Sequence, residues 1–260
     1  MQYRARIKDR VDAGLAGCVA EWFPELPPPD QDALRAILAR GKRLRACLAC
    51  LVAEALGARM EAAMPAALAI EMVHAASLVH DDFVDGDALR HGKPAAWTVL
   101  EPRRAVLLAD MMFATAIERM AHCGAAEVGA LAHAIAATAR GAFQETHEGS
   151  ASYRRINQAK TGSLFAAAAR LGALAAKART AELEAAQEFG ALAGEAYQLA
   201  DDLADGVLRP SMEDEIGTLV ERARAALAPF PDNESTRLLA EAPGEFVRRA
   251  LTMAEPYAVR

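Results

Sequence analysis

Apolar residues recur at helical spacing along nearly the whole chain, and short polar connections separate the apolar runs. Strict alternation never extends beyond a few residues, and β-branched residues are sparse. Abundant Ala, Leu, Glu and Arg also favour helices, so the pattern predicts an all-α fold. The predicted helices span about 1–20, 30–40, 46–56, 64–84, 103–121, 125–148, 158–177, 180–206, 212–229 and 234–258.

The connections between these helices are short, which is typical of antiparallel neighbours in one bundle. A chain of 260 residues can bury a full core, and we expect a single domain over 1–260 around a central cavity. The proline-rich segment 23–29 predicts a stiff non-helical connector, with Asp30 capping the next helix. Segment 86–102 is the main non-helical excursion, and Pro243-Gly244 predicts an interruption of the last helix.

Charge and composition narrow the range of partners. A net charge of −6 argues against nucleic acid. The amino terminus has no apolar signal-peptide core, and no stretch has the roughly 20 uncharged apolar residues of a membrane span. We therefore expect a cytoplasmic protein without a transmembrane segment. The four cysteines, including the Cys47–Cys50 pair, are better explained as small buried apolar residues than as a metal or disulfide site.

The apolar run 64–79 closes on three carboxylates, which we call the first aspartate motif: Asp81, Asp82 and Asp85. If the helix continues, Asp81 and Asp85 lie one turn apart on one face. Neighbouring carboxylates repel each other unless a cation lies between them. Oxygen donors without nearby His or Cys favour Mg²⁺, which usually shares its coordination with substrate phosphates.

The same pattern returns after a second apolar helix as the second aspartate motif: Asp201, Asp202 and Asp205. One such motif alone is more often a solvated helix end than a site. Two of them, each closing an apolar helix, predict two facing metal-binding walls.

Cations accompany these acids. The basic segment Gly41–Arg45 precedes an apolar helix, and it is either a solvated basic turn or an anion site built on a helix start. A second basic stretch, Arg90–Pro94, follows the first aspartate motif closely. Acids and cations grouped in this way suggest a diphosphate held between metal ions and basic side chains.

In these motifs, and in Lys160-Thr161 and segment 194–205, the chain resembles the trans-isoprenyl diphosphate synthases, the polyprenyl synthetase family. The matching residues keep the family's order across about 40–206. The resemblance implies an all-α isoprenoid-synthase-like bundle that assembles as a homodimer. It also implies an enzyme that joins isopentenyl diphosphate to an allylic diphosphate. It also implies a cofactor set of three Mg²⁺ ions.

The resemblance further implies roles for individual residues. The implied metal ligands are Asp81, Asp85 and Asp201, and Asp82 supports the first metal site. Asp202 and Lys160 are implied to be catalytic together with these aspartates. The implied ligands of the allylic diphosphate, or of its pocket, are Arg90, Lys160, Thr161 and Gln198. The implied ligands of isopentenyl diphosphate are Lys42, Arg45, His74 and His91. At the last of these positions the family usually has arginine, so the histidine is a departure from its pattern.

Two further departures from the family pattern stand out. Tyr197 replaces the usual phenylalanine, and the chain is shortened after the second aspartate motif, over about 206–232. The family normally has a lid segment with lysine there, whereas this chain has no lysine after Lys177.

Three functions therefore stay open. The first is chain elongation, with small residues at Ala76 and Ser77 favouring a product of at least twenty carbons. The second is a non-elongating, diphosphate-binding or regulatory subunit of a synthase. The third is a terpene-synthase-like enzyme that ionises its substrate without condensation.

Overall fold

The computed structural model describes residues 2–90, 92–148, 153–208 and 212–252, and helices dominate these ranges. The all-α prediction is confirmed. The helices are α1 (Gln2–Trp22), α2 (Pro28–Leu38), α3 (Leu44–Ala55), α4 (Met60–Val84), α5 (Ala96–Val99), α6 (Pro102–Ala121), α7 (Ala125–Glu148), α8 (Tyr153–Asn157), α9 (Ser163–Ala175), α10 (Thr180–Ala204), α11 (Glu213–Ala226) and α12 (Glu234–Thr252). Two short antiparallel strands, β1 (Leu89–Arg90) and β2 (Lys93–Pro94), form a hairpin in segment 86–102.

The start of α2 corrects two predictions. Pro28 and Pro29 belong to the helix rather than to the connector, because the first helical turn does not need their missing amide hydrogens. Asp30 makes no cap; its buried carboxylate instead accepts hydrogen bonds from Arg104 of α6.

The predicted interruption of α12 is also wrong, since the helix continues through Pro243. Its buried side chains follow one face at helical spacing, and this packing outweighs the hydrogen bond that proline cannot make. The predicted helix at 158–177 begins earlier, at Tyr153. A π-helical turn, Gln158–Gly162, joins α8 to α9, and such turns are frequent at functional sites.

The chain divides into two compact units. The first unit comprises Met1–Cys47 and Met64–Ile135, and the second comprises Leu48–Ala63 and Ala136–Arg260. The expectation of a single domain over 1–260 stays a prediction. Cys18, Cys47 and Cys50 are buried as expected, whereas Cys123 is exposed.

The first aspartate motif lies at the end of α4, a strongly apolar helix. By length and composition alone α4 could cross a membrane, with a mean hydropathy of 1.5, and 61% of the residues in that window are buried by the protein. A core helix meets the same criteria, so this is weak evidence for a membrane span. The absence of a transmembrane segment stays a prediction.

Candidate active site

The first aspartate motif closes α4 with a specific cap. The amide of Asp85 donates to the carbonyl of Asp81 at 2.9 Å, which continues the helical hydrogen bonding by one residue. The amide of Asp87 then reaches back to the carbonyl of Asp82 at 2.9 Å. This arrangement needs a left-handed residue between them, and Gly86 supplies it with a φ of 71°. Asp81 and Asp85 are thereby held one turn apart.

The second aspartate motif closes α10 in the same way. The amide of Asp205 donates to the carbonyl of Asp201 at 2.9 Å, and the amide of Val207 to that of Asp202 at 2.8 Å. Gly206 again provides the left-handed residue, with a φ of 75°. The repeat in the sequence is therefore a repeat in backbone geometry.

Within the first aspartate motif, Asp82 has a different environment from its neighbours. It is 4% exposed, and its carboxylate accepts a hydrogen bond from Nε of Arg90 on β1. Burial raises the pKa of Asp82, and the charge and hydrogen bond of Arg90 oppose that rise. Asp82 thus ties the hairpin to the end of α4.

Four cationic or potentially cationic side chains form a group that we call the basic cluster: Arg43, Arg45, His74 and Arg90. Burial, followed by the charges of Arg45, Arg90 and Arg43, holds the pKa of His74 well below its ordinary value. A neutral imidazole among arginines offers one hydrogen-bond donor without adding charge. Arg43 and Arg45 are only 2% and 8% exposed, which argues against a solvated basic turn.

Around the second aspartate motif, hydrogen bonds join α10 to α8 and the π-helical turn. Asp202 accepts from the Tyr153 hydroxyl, from Asn157 at 3.1 Å and from Gln198 at 3.0 Å. The Thr161 hydroxyl in turn donates to Gln198 at 2.8 Å. Burial raises the pKa of Asp202, and the hydrogen bonds from Tyr153, Gln198 and Asn157 act in the opposite direction. We call these five residues the polar seam.

A buried carboxylate extends the same face of α10. Glu195 is 7% exposed and accepts from Arg154 at 2.7 Å and from Gln158 at 3.1 Å. Arg154 also forms an ion pair with Glu215 of α11 at 2.7 Å. Arg154 of α8 therefore links α10 to α11, the helix that lies within segment 206–232. Segment 206–232 contains no lysine that could make such a link.

Sequence reasoning missed Tyr153, Asn157 and Arg154. A signal was present, because Tyr153, Asn157 and Thr161 recur every fourth residue and so lie on one helical face. Lys160, which was predicted to bind substrate, forms an ion pair with Glu145 of α7.

Comparison with known proteins decides the family. A polyprenyl synthetase family model matches residues 30–218, which is most of the chain. The chain belongs to the polyprenyl synthetase family.

Curated relatives of this family agree with that assignment. A (2E,6E)-farnesyl diphosphate synthase of Mycobacterium tuberculosis is 36% identical over 173 residues, covering 63% of this chain and 48% of the relative. A nonaprenyl diphosphate synthase of the same species is 35% identical over 207 residues, covering 75% and 62%. The chain thus spans about half the length of the farnesyl diphosphate synthase.

Solved structures of the polyprenyl synthetase family match over nearly the whole chain. A polyprenyl synthase from Caulobacter crescentus, solved with calcium and isoprenyl diphosphate, has a TM-score of 0.81 and 26% identity, covering 98% of each chain. A geranylgeranyl pyrophosphate synthetase from the archaeon Geoglobus acetivorans has a TM-score of 0.78 and 25% identity, covering 94% of this chain and 99% of the other.

The structure brings the predicted residues together in two groups. In the first compact unit, Arg45, His74 and Arg90 share the basic cluster. In the second, Thr161 and Gln198 share the polar seam with Asp202. His91 lies outside the described residues. Tyr197, another departure from the polyprenyl synthetase pattern, packs its ring against Phe165 with centroids 5.8 Å apart.

The acidic side chains suit Mg²⁺ by their chemistry. Among the described residues, no three His, Cys, Asp or Glu side chains form a ready-made metal cluster. Mg²⁺ does not require one, because it is commonly held by one or two carboxylates together with substrate phosphates and water. Asp81 and Asp85, one helical turn apart, provide such a pair of carboxylates.

Proposed function

We propose that the chain is a trans-prenyltransferase that condenses isopentenyl diphosphate with an allylic diphosphate. The observation that carries this proposal is that acidic and cationic side chains occur together on and around α4. One apolar helix ends in the capped Asp81–Asp85 pair and also bears His74, which is surrounded by the charges of Arg45, Arg90 and Arg43. A diphosphate needs both kinds of group, metal-binding acids and cations.

In this proposal Asp81, Asp85 and Asp201 hold three Mg²⁺ ions. Bound Mg²⁺ would neutralise the charge that grows on the departing diphosphate. Asp82 and Asp202 keep the ends of α4 and α10 in place through Arg90 and the polar seam.

The remaining residues bind and orient the two substrates. Arg90, Lys160, Thr161 and Gln198 bind the allylic diphosphate or line its pocket, so that its C–O bond can ionise. Lys42, Arg45, His74 and His91 hold isopentenyl diphosphate, whose double bond attacks the allylic cation. The new cation then loses a proton to the departing diphosphate. Apolar side chains of α4 exclude water, which would otherwise capture the cation.

Finer properties belong to the proposal too. Relatives of this chain are named for products from farnesyl to nonaprenyl diphosphate, so family membership does not decide product length. We propose a product of at least twenty carbons, because Ala76 and Ser77 lie one turn before the first aspartate motif and are small. We also propose a homodimer in the cytoplasm.

The test is incubation with Mg²⁺, isopentenyl diphosphate and a labelled allylic diphosphate, followed by separation of products. Longer diphosphates support elongation. Hydrocarbons or alcohols would instead identify a terpene-synthase-like enzyme.

A similar protein is named heptaprenyl diphosphate synthase component 2, at 34% identity over 188 residues. A chain that binds diphosphate but forms product only after addition of a second protein would be a synthase subunit.

A further inference from the structure

Arg43 lies in the middle of the basic segment, yet its environment differs from that of a substrate-binding side chain. Only 2% of its surface is exposed, and its backbone has a φ of 55°. Such a left-handed conformation is unfavourable for a residue with a Cβ, and it persists only where surrounding contacts enforce it.

The contacts of the guanidinium explain this conformation. Nε donates to the Asp12 carboxylate of α1 at 2.6 Å. The terminal nitrogens donate to the backbone carbonyls of Arg40, at 2.6 Å, and of Leu38. Leu38 is the last residue of α2, where helical carbonyls lack partners within the helix, and Arg40 lies two residues beyond it. Arg43 therefore turns the chain back on itself and closes the end of α2.

A buried acid completes the arrangement. Glu71 of α4 is 2% exposed, and its Oε2 lies 3.5 Å from a terminal nitrogen of Arg43. Its other oxygen accepts the backbone amide of Ala46, in the first turn of α3, at 3.0 Å. Glu71 thus holds both the basic segment and the start of α3. It lies three residues before His74, which places the two side chains on neighbouring positions of one helical face.

We propose that Arg43 is a positioning residue: through Glu71, Asp12 and the carbonyls at the end of α2, it sets Lys42 and Arg45 beside His74 for diphosphate binding. This inference rests on the proposed function, because it assumes that Lys42, Arg45 and His74 bind isopentenyl diphosphate. Lysine cannot replace Arg43, because an ammonium group lacks the planar fork that reaches several acceptors at once.

The test compares Arg43→Lys and Arg43→Gly with the wild-type chain. Glycine permits the left-handed backbone but removes the guanidinium, so it separates the two roles. Both variants should raise the KM for isopentenyl diphosphate at least about tenfold through misplacement of the binding side chains. The KM for the allylic diphosphate should stay unchanged. Glu71→Gln, which keeps an acceptor for Ala46 but loses its charge, should change the KM in the same direction.

Arg104→Lys is the matched control, because Arg104 also pairs with a buried aspartate, Asp30, outside the basic cluster. It should lower the melting temperature without changing either KM. Isopentenyl diphosphate binding by calorimetry gives a second readout that needs no turnover. If the wild-type chain binds isopentenyl diphosphate but does not condense it, the proposed function fails and the Kd values decide the role of Arg43. Wild-type affinity in both Arg43 variants, equal changes for both substrates, or no binding by the wild-type chain would overturn the positioning role.

Discussion

The phenol hydroxyl of Tyr153 donates a hydrogen bond to the carboxylate of Asp202. This bond joins the first residue of α8 to the second aspartate motif at the end of α10. Asp202 receives further hydrogen bonds from Asn157 and Gln198. Because the Asp202 side chain is hydrogen-bonded to α8, the last turn of α10 is fixed in its rotation about the helix axis. Asp201, its neighbour, is oriented by the same constraint.

Tyr153→Phe removes only the hydroxyl and keeps the ring. A hydrogen bond to a charged group contributes about 1.5–3 kcal/mol, and we expect the free energy of unfolding to fall by about that amount. Turnover should also decrease, because the second aspartate motif loses part of its support. Denaturant unfolding and steady-state kinetics measure the two effects. Thr218→Val removes a hydroxyl from an exposed site on α11 and should change the free energy of unfolding by less than about 0.5 kcal/mol. Equal stability of the two variants would contradict this account.

Asp81→Asn tests the metal-binding role of the first aspartate motif. The amide keeps the size of the side chain but loses the charge that Mg²⁺ requires, so kcat should fall at least about a hundredfold. Helical circular dichroism should be retained. Asp232→Asn changes an exposed aspartate that pairs with Arg237, and it should leave kcat unchanged. Full activity of Asp81→Asn across a Mg²⁺ titration would remove this ligand from the proposal.

The helical architecture and the aspartate motifs were accessible from sequence because both depend on local periodicity. The caps at Gly86 and Gly206 are local as well, since a glycine after each motif permits a left-handed residue. The partners of Arg43 and Asp202 were not accessible. They join residues that are far apart in the chain, such as Arg43 and Glu71, and sequence periodicity does not reveal which helices pack together.

The start of α2 and the course of α12 show a second limit of prediction from sequence. Proline was interpreted as a helix breaker in both places. In α2, however, Pro28 and Pro29 occupy the first turn, where proline is tolerated. In α12, Pro243 lies within the buried face, and tertiary packing keeps the helix intact. Local preference was outweighed by position in one case and by burial in the other.

His74 predicts a specific pH dependence of stability. Burial, with the charges of Arg45, Arg90 and Arg43, lowers its pKa in the folded state, while the unfolded value is about 6.5. Below about pH 6.5 the unfolded chain therefore binds more protons, and stability is lost as pH falls towards the folded-state pKa. Between pH 7 and 5, His74→Gln should make the free energy of unfolding depend less steeply on pH. The slope should decrease by at most about 1.4 kcal/mol per pH unit.

Urea unfolding at several pH values measures this slope. Ser77→Ala is the control, because its hydroxyl bonds the His74 carbonyl but does not titrate. It should keep the wild-type slope. A His74→Gln variant with the same slope as the wild-type chain would show that His74 is not the responsible group.

Two glycines in helices should respond to alanine with opposite signs. A Cβ on Gly172 of α9 would lie 2.2 Å from the carbonyl oxygen of Ala49, so the backbones would have to separate. We expect Gly172→Ala to destabilise the fold by about 1–3 kcal/mol. Gly217 of α11 has no atoms within 4 Å of such a Cβ, and Gly217→Ala should stabilise by about 0.5–1 kcal/mol. Thermal unfolding of both variants measures the difference, and a stable Gly172→Ala would show that α9 can move away from Ala49.

We expect product length to depend on residues of α4 one turn before the first aspartate motif. If the growing chain extends along α4 from Asp81, it passes Ser77 and Ala76, which are both small and buried. A deeper floor would then be formed by buried residues further along the helix, among them Met72 and Val73. Each added isoprene unit needs more depth, so the wild-type product should contain at least twenty carbons.

Ala76→Phe should shorten this product, because the aromatic ring would block the path of the chain. Ala76→Ser, which adds one hydroxyl, should leave the product distribution unchanged. Chromatography of the labelled products measures chain length, and circular dichroism shows whether each variant is folded. The alternative is that Ala76 is small only to permit close packing of helices, since it has no exposed surface. In that case Ala76→Phe would unfold the chain, or the wild-type enzyme would release ten- or fifteen-carbon diphosphates that the substitution does not change. The second result would exclude α4 as the wall that determines product length.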